Sequence, residues 1–169
     1  CRVEDVAAAL GGVRALGNFR GLSVTIPHKI EAMKHVDEVA KVDRAIGSIN
    51  TVVHEGDKLL GLGTDGPGAL KALADAGVTV DGRRILMLGA GGAARAIGFT
   101  LAWKAAPAEL ILLDINEEML RGLAADLRAG SATPIMDAIL TPDTLEDALG
   151  RAEVVIHCTP IGMHPKVDA

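Results

Sequence analysis

Tyrosine is absent from these 169 residues, and Phe19, Phe99 and Trp103 are the only aromatic side chains. Proteins that bind single-stranded nucleic acid stack bases on aromatic platforms, so a 2% aromatic content argues against that class. Positive charge is scarce as well: 17 Lys and Arg against 22 Asp and Glu leave a net charge of -5. The sequence has no basic stripe to neutralise phosphates and no basic amphipathic helix to lie on a membrane. No apolar run approaches the roughly 18 residues of a membrane span, and the start lacks a signal-peptide pattern, so the cytoplasm is the expected compartment. Cys1 and Cys158 form no Cys-x-x-Cys or Cys/His ligand spacing; no metal is expected, and an intracellular chain would keep both thiols reduced.

The chain is rich in small and aliphatic residues. A hydrophobic content of 49% is ample for a buried core built from Ala, Leu, Val and Ile, and it excludes disorder. Cys1 stands where an initiator Met would, and Ala169 closes a loop-like stretch, so both ends read as cut and the chain as a fragment.

Strand composition from Leu22 to Ile26 is followed by Pro27 and a predicted helix to about Val39, with Ile30, Met33 and Val36 at helical spacing. Lys29 falls in its first turn. Ile49–His54 and Lys58–Leu62 read as strands joined by a turn at Glu55-Gly56-Asp57, which puts Asn50 and Asp65 near the two ends of a hairpin. Pro67 at the start and Gly77 at the end delimit a helix read as a connector over 67–80. Residues 1–66 then form part of one domain and 81–169 a second one.

In that second part, the apolar run Arg84–Leu88 leads directly into Gly89-Ala-Gly-Gly-Ala-Ala94 and an Ala-rich helix to about Lys104. Glu109–Leu113, Glu117–Ala129 and Glu153–His157 continue as strand, helix and strand. The fold class is α/β, ending in a Rossmann-like doubly wound parallel sheet. Gly89 would make the tight turn, Gly91 would let backbone approach a pyrophosphate, and small Ala94 would let helix and strand pack closely. Ala90, Gly92 and Ala93 complete the turn, at a helix N-terminus that favours an anion.

Asp114 lies 114 − 89 = 25 residues after the first glycine, near the position of the acid that holds the ribose hydroxyls of NAD. With no Lys or Arg at Ile115 or Asn116, a 2′-phosphate would meet a bare carboxylate. Two like charges about 4 Å apart repel by up to ~4 kcal/mol at an effective dielectric of 20, so NAD is expected over NADP. Asp114 and Asn116 are equally suited to capping the next helix, and that alternative stays open. Arg121 reads as a solvated helix residue. The five histidines show no triad or ligand spacing and read as surface or supporting groups.

Five motifs occur in order: G-x-x-V-T-x-P-x-K over Gly21–Lys29, I-G-x-x-N-T over Ile46–Thr51, T-D-G over Thr64–Gly66, the glycine turn, and T-P-x-G-M over Thr159–Met163. This order resembles the shikimate dehydrogenase family, including its quinate members, from about Gly21 to Met163. The resemblance implies an oxidoreductase of the shikimate pathway of aromatic amino acid biosynthesis, acting on shikimate or quinate as monomer or homodimer. It makes Lys29 the catalytic lysine and Asp65 its partner, with Ser23, Thr25 and Asn50 at the substrate and Thr159 and Met163 beside the cofactor. Burial disfavours a charged lysine and a neighbouring carboxylate favours it, so proton exchange and polarisation of a carbonyl oxygen both remain open to Lys29.

The chain departs from the family pattern where Ser23 and Gly63 replace Asn, Ser48 replaces Ala, His157 replaces Asn, and Asp114-Ile-Asn116 replaces an arginine motif. Ser23 and Gly63 remove amides near the substrate and leave a quinate-type or altered acid open. The serine pair that holds the substrate carboxylate would lie upstream of Cys1. Two other readings stand beside this one: a nicotinamide dehydrogenase of similar plan acting on another cyclic substrate, and a family member that binds dinucleotide without turnover.

Overall fold

The structure is a computed structural model and describes residues 1–25 and 27–162. The chain divides into two compact units, Cys1–Gly68 and Ala69–Ala169.

The first unit begins with α1 (Val6–Arg14), followed by β1 (Gly21–Ser23), α2 (Lys29–Met33), β2 (Glu38–Val39) and α3 (Lys41–Ile46). It continues with β3 (Thr51–Glu55), β4 (Lys58–Leu62) and the start of α4 (Asp65–Asp75). The sheet order is β1-β3-β4-β2, with β1 and β4 antiparallel to β3 and β2 parallel to β4. Glu55 pairs with Lys58 across a two-residue loop, and Gly56, at φ 62°, supplies the positive φ that lets the hairpin close. Val6, Leu10, Val24, Ala32, Ile49, Val52 and Leu59 form one core beneath this sheet.

The predicted helix to Val39 is overturned here: α2 stops at Met33, and the chain reaches β2 by Glu38. Ile30, the first residue of the apolar pattern, is 62% exposed. Val36 packs instead beside Gly61 of β4, and Asp37 exchanges bonds with Leu59: its N–H donates to the Leu59 carbonyl at 2.9 Å and its carboxylate accepts the Leu59 N–H at 2.7 Å. Sheet pairing therefore captures a segment whose spacing suits a helix equally well.

Gly77, at φ 74°, ends α4 as expected, its N–H bonding Ala74 and that of Val78 reaching back to Leu73. The second unit then runs β5 (Arg84–Leu88), α5 (Gly92–Lys104), β6 (Glu109–Asp114), α6 (Glu117–Gly130), β7 (Ile135–Ile139), α7 (Pro142–Arg151) and β8 (Val154–His157). Its four strands are all parallel in the order β7-β6-β5-β8, the doubly wound pattern in which the order reverses between the first strand and the fourth. Leu110 to Leu113 are at most 1% exposed, as an interior strand covered on both faces requires. Each such side chain contributes roughly 1.5–3 kcal/mol by leaving water. Leu120, Leu123, Ala124 and Leu127 form the buried stripe of α6 at i, i+3, i+4 and i+7.

The sequence reading does not anticipate β7 or α7. Yet Thr141 before Pro142 is a helix start signal, and the structure completes it with a reciprocal cap between Thr141 and Thr144. Arg121 is not simply solvated: it pairs with Asp137 of β7 and with Glu117.

Candidate active site

Three polar side chains meet at one end of the first sheet. Lys29 opens α2, Asn50 precedes β3, and Asp65 opens α4 two residues beyond Gly63. Lys29 Nζ donates to Asp65 Oδ2 at 2.8 Å, and Asn50 Nδ2 donates to Asp65 Oδ1 at 2.6 Å. One carboxylate thus bridges the lysine and the amide. Asp65 is not the cap of its helix; Thr64 stands before it, and its carbonyl accepts the Gly68 N–H.

Backbone bonds hold the three segments in place. The Ile49 N–H donates to the Lys29 carbonyl at 3.1 Å, the Asn50 N–H to Leu62 at 3.0 Å, and the Val24 N–H to Asn50 at 2.7 Å. Thr64, to which the motif comparison assigns no role, locks the amide: its N–H donates to Asn50 Oδ1 at 2.9 Å while Asn50 Nδ2 donates to its Oγ1 at 3.0 Å. The Lys29 side chain is 27% exposed and that of Asp65 46%, so the pair is ordered yet open to solvent. Ser23 and Thr25 lie on the wall of a cavity of about 190 Å³, with Leu10, Leu22, Val24 and His28 among its neighbours. They are near the three-residue set in sequence and fold, with no side-chain hydrogen bond to it.

In the second unit, the glycine turn sits at the crevice between the C-terminal ends of β5 and β8, where open α/β sheets bind ligands. Gly89 has φ 105°, and a Cβ there would lie 3.1 Å from the Cys158 backbone, so conformation and packing both demand glycine. Ala94 is fully buried against the sheet. Gly91 is the N-cap of α5 and no side chain caps that helix, which leaves first-turn N–H groups at Gly92 and Ala93 for an anion. The turn therefore fits a dinucleotide pyrophosphate. Beside it lies a cavity of about 340 Å³ lined by Gly89, Asp114, Ile115, Asn116, Thr159 and Ile161, among others. Among the described residues this wall carries no Lys or Arg.

Thr159 Oγ1 shares a 2.8 Å hydrogen bond with His157 Nε2 and accepts the Ile161 N–H. Burial raises the Cys158 thiol above its ordinary range. Met163 and His164 fall outside the described residues. Asn116 caps α6, its Oδ1 accepting the Met119 N–H at 3.0 Å. Asp114 has both carboxylate oxygens turned to backbone: Oδ2 accepts the Ala90 N–H at 2.5 Å and Oδ1 the Asn116 N–H at 2.7 Å. It ties the glycine turn to the end of β6.

Residues 1–52 match the family pattern described as the shikimate dehydrogenase substrate binding domain. The chain is 42% identical over 168 residues to a shikimate dehydrogenase (NADP(+)) of Symbiobacterium thermophilum, covering 98% of this chain and 56% of that protein. Over nearly its whole length this chain is thus similar to shikimate dehydrogenases. It spans about half the length of the curated relatives it matches. Among solved structures, the shikimate 5-dehydrogenase of Listeria monocytogenes in complex with shikimate and NAD superposes with a TM-score of 0.89 at 25% identity, over 96% of this chain and 57% of that one. A shikimate dehydrogenase in complex with NADP+ superposes at 0.81 with 35% identity, over 100% of this chain and 57% of that one.

These relatives overturn the expected preference for NAD. Curated family members are named for NADP(+), and a structural neighbour holds NADP+. Each oxygen of Asp114 accepts one backbone N–H, and the carboxylate also lines the cavity beside the turn, so its place in the structure does not by itself select between the two dinucleotides.

Proposed function

We propose that this chain carries the substrate and cofactor sites of an NADP-linked shikimate dehydrogenase, which interconverts shikimate and 3-dehydroshikimate by hydride transfer. The observation that carries the reading is the Asp65 carboxylate held between Lys29 Nζ and Asn50 Nδ2. Oxidising a secondary alcohol releases a hydride and a proton, and the proton needs a protein group within hydrogen-bond reach of the hydroxyl. Lys29 is that group. Asp65 fixes the direction of its Nζ, and Asn50, itself clamped by Thr64, fixes Asp65. In the reductive direction the same ammonium polarises the carbonyl oxygen and delivers the proton. Thr25 and Ser23 face the ring of the acid in this reading, and Asn50 shares in holding its hydroxyls.

The cofactor, when bound, accepts or supplies the hydride. The residues that would hold it are Gly89, Ala90, Gly91, Gly92 and Ala93 at the pyrophosphate, Asn116 and Thr159 along the adjoining wall, and Met163 beyond them. Asp114 acts on the cofactor through the turn it braces.

Steady-state kinetics on the full-length reading frame test the proposal. Shikimate oxidation with NADP+, lost on replacing Lys29 by Ala, is the expected outcome. A wild-type turnover number in Lys29→Ala would refute the role of Lys29. Ser23, standing where the family pattern has Asn, favours quinate as a second acid; a kcat/KM for quinate within tenfold of that for shikimate would support it.

A further inference from the structure

Asp43 is a buried carboxylate of the first unit, only 4% exposed, and the chemistry above makes no use of it. It sits on α3, whose last turn closes through Gly47 at φ 83° and leads directly to Asn50. Its side chain reaches the other arm of the site. A Cβ on residue 63 would run into Asp43 Oδ1 and lie 3.2 Å from Asp43 Cγ. Gly63 in turn follows β4 and leads within two residues to Asp65. Asp43 thus belongs to the element that delivers Asn50 and presses on the segment that delivers Asp65.

The contact also explains a departure in the sequence. Where the family pattern has asparagine, residue 63 is glycine, and the volume a side chain would need there is filled by a carboxylate arriving from α3. Packed interiors transmit such contacts because they have no slack to absorb them.

We infer that Asp43 and Gly63 are a matched pair, in which Asp43 is a positioning residue that sets where the chain leaves β4 and so where the Asp65 carboxylate meets Lys29 and Asn50. Asp43 touches no substrate. The inference rests on the roles proposed above for Lys29 and Asp65, and its test keeps the two apart.

In the full-length chain, Gly63→Ala, Asp43→Ala and the double variant are assayed for shikimate oxidation beside Lys29→Ala, with thermal unfolding recorded for each. A methyl on residue 63 must push the segment or the carboxylate aside, and a displacement of about 1 Å in a positioned group can cost on the order of 100-fold in rate. The expected result is a kcat at least tenfold down in Gly63→Ala, with KM for NADP+ within about twofold of wild type. The double variant is expected to be no slower than Asp43→Ala alone, because removing the Asp43 carboxylate leaves room for the methyl. Wild-type kcat in Gly63→Ala, or losses that multiply in the double variant, would overturn the pairing. Should Gly63→Ala not fold, Asp43→Ala decides: a kcat about tenfold down supports the inference, and a wild-type kcat in the folded variant refutes it. Full activity in Lys29→Ala would instead remove the reading beneath it.

Discussion

Replacing Asp114 with Asn separates a brace on the glycine turn from a ligand for the ribose. Asp114 accepts N–H groups from Ala90 and Asn116 at 2.5 and 2.7 Å. Asparagine keeps one oxygen and sets an amide NH2 where the other stood, so one backbone donor then faces another donor. If the oxygen stays with Asn116, the orphan is the Ala90 N–H, on a residue only 6% exposed that has little access to water. Losing a hydrogen bond to a charged group there costs roughly 1.5–3 kcal/mol. At about 1.4 kcal/mol per decade, the turn would hold its binding geometry some 10- to 150-fold less often. The pyrophosphate is common to both dinucleotides, so affinity for NADP+ and for NAD+ should fall by the same factor. Titration calorimetry with each cofactor on wild type and Asp114→Asn measures this directly. A variant that loses NAD+ affinity alone, shifting the ratio of the two dissociation constants tenfold or more, would refute the brace and return Asp114 to the ribose.

Other outcomes follow from the same geometry. Lys29→Ala should lower kcat by about 100-fold or more, and Lys29→Ala/Asp65→Asn should be little worse than Lys29→Ala, because the carboxylate acts through the lysine; multiplicative losses in steady-state kinetics would contradict this. Asp137 has a side chain 4% exposed, and although burial pushes its carboxyl up, hydrogen bonds from Arg128 and Arg121 outweigh that and hold it below the ordinary carboxylate range. Its contribution is therefore full above an unfolded pKa of about 3.9 and is lost as pH falls through the lower folded value; Asp137→Asn should cost about 1–3 kcal/mol near neutrality and flatten the acid limb in denaturant titrations. A Cβ on residue 61 would come within 2.8 Å of Ile49 Cδ1 and 2.9 Å of Val36 Cγ2, so Gly61→Ala should destabilise the first unit by about 1–3 kcal/mol in thermal melts.

Local periodicity and turn chemistry made much of the fold legible. The apolar run to Leu88, the glycine turn and the Ala-rich stretch to Lys104 specify strand, turn and helix from neighbours in sequence alone, and the structure places β5 and α5 over those residues. Gly56 and Gly77 mark their turns because only glycine takes a positive φ at no steric cost. The motifs also marked Lys29, Asn50 and Asp65 before any distance between them was known. They could not mark Thr64 or Asp43, whose parts depend on side chains meeting across the fold.

What only the tertiary structure decided is which of two locally permitted states each ambiguous group adopts. Residues 34–39 have helical spacing, and it is bonding of Asp37 to Leu59 and pairing of Glu38 and Val39 with Leu60 and Gly61, far along the chain, that ends the helix and forms β2. Asp65 has the chemistry of a helix cap, and the approach of Lys29 and Asn50 from separate elements makes it a bridge instead. Asp114 stands at the distance from Gly89 that suits a ribose ligand, and the fold adds a second part by turning its oxygens to the N–H groups of Ala90 and Asn116. Sequence dictates what a segment or a carboxylate can do locally, because sterics and hydrogen-bonding capacity belong to the residue. Which partner it meets depends on contacts between residues far apart in the chain, and those exist only once the chain has folded.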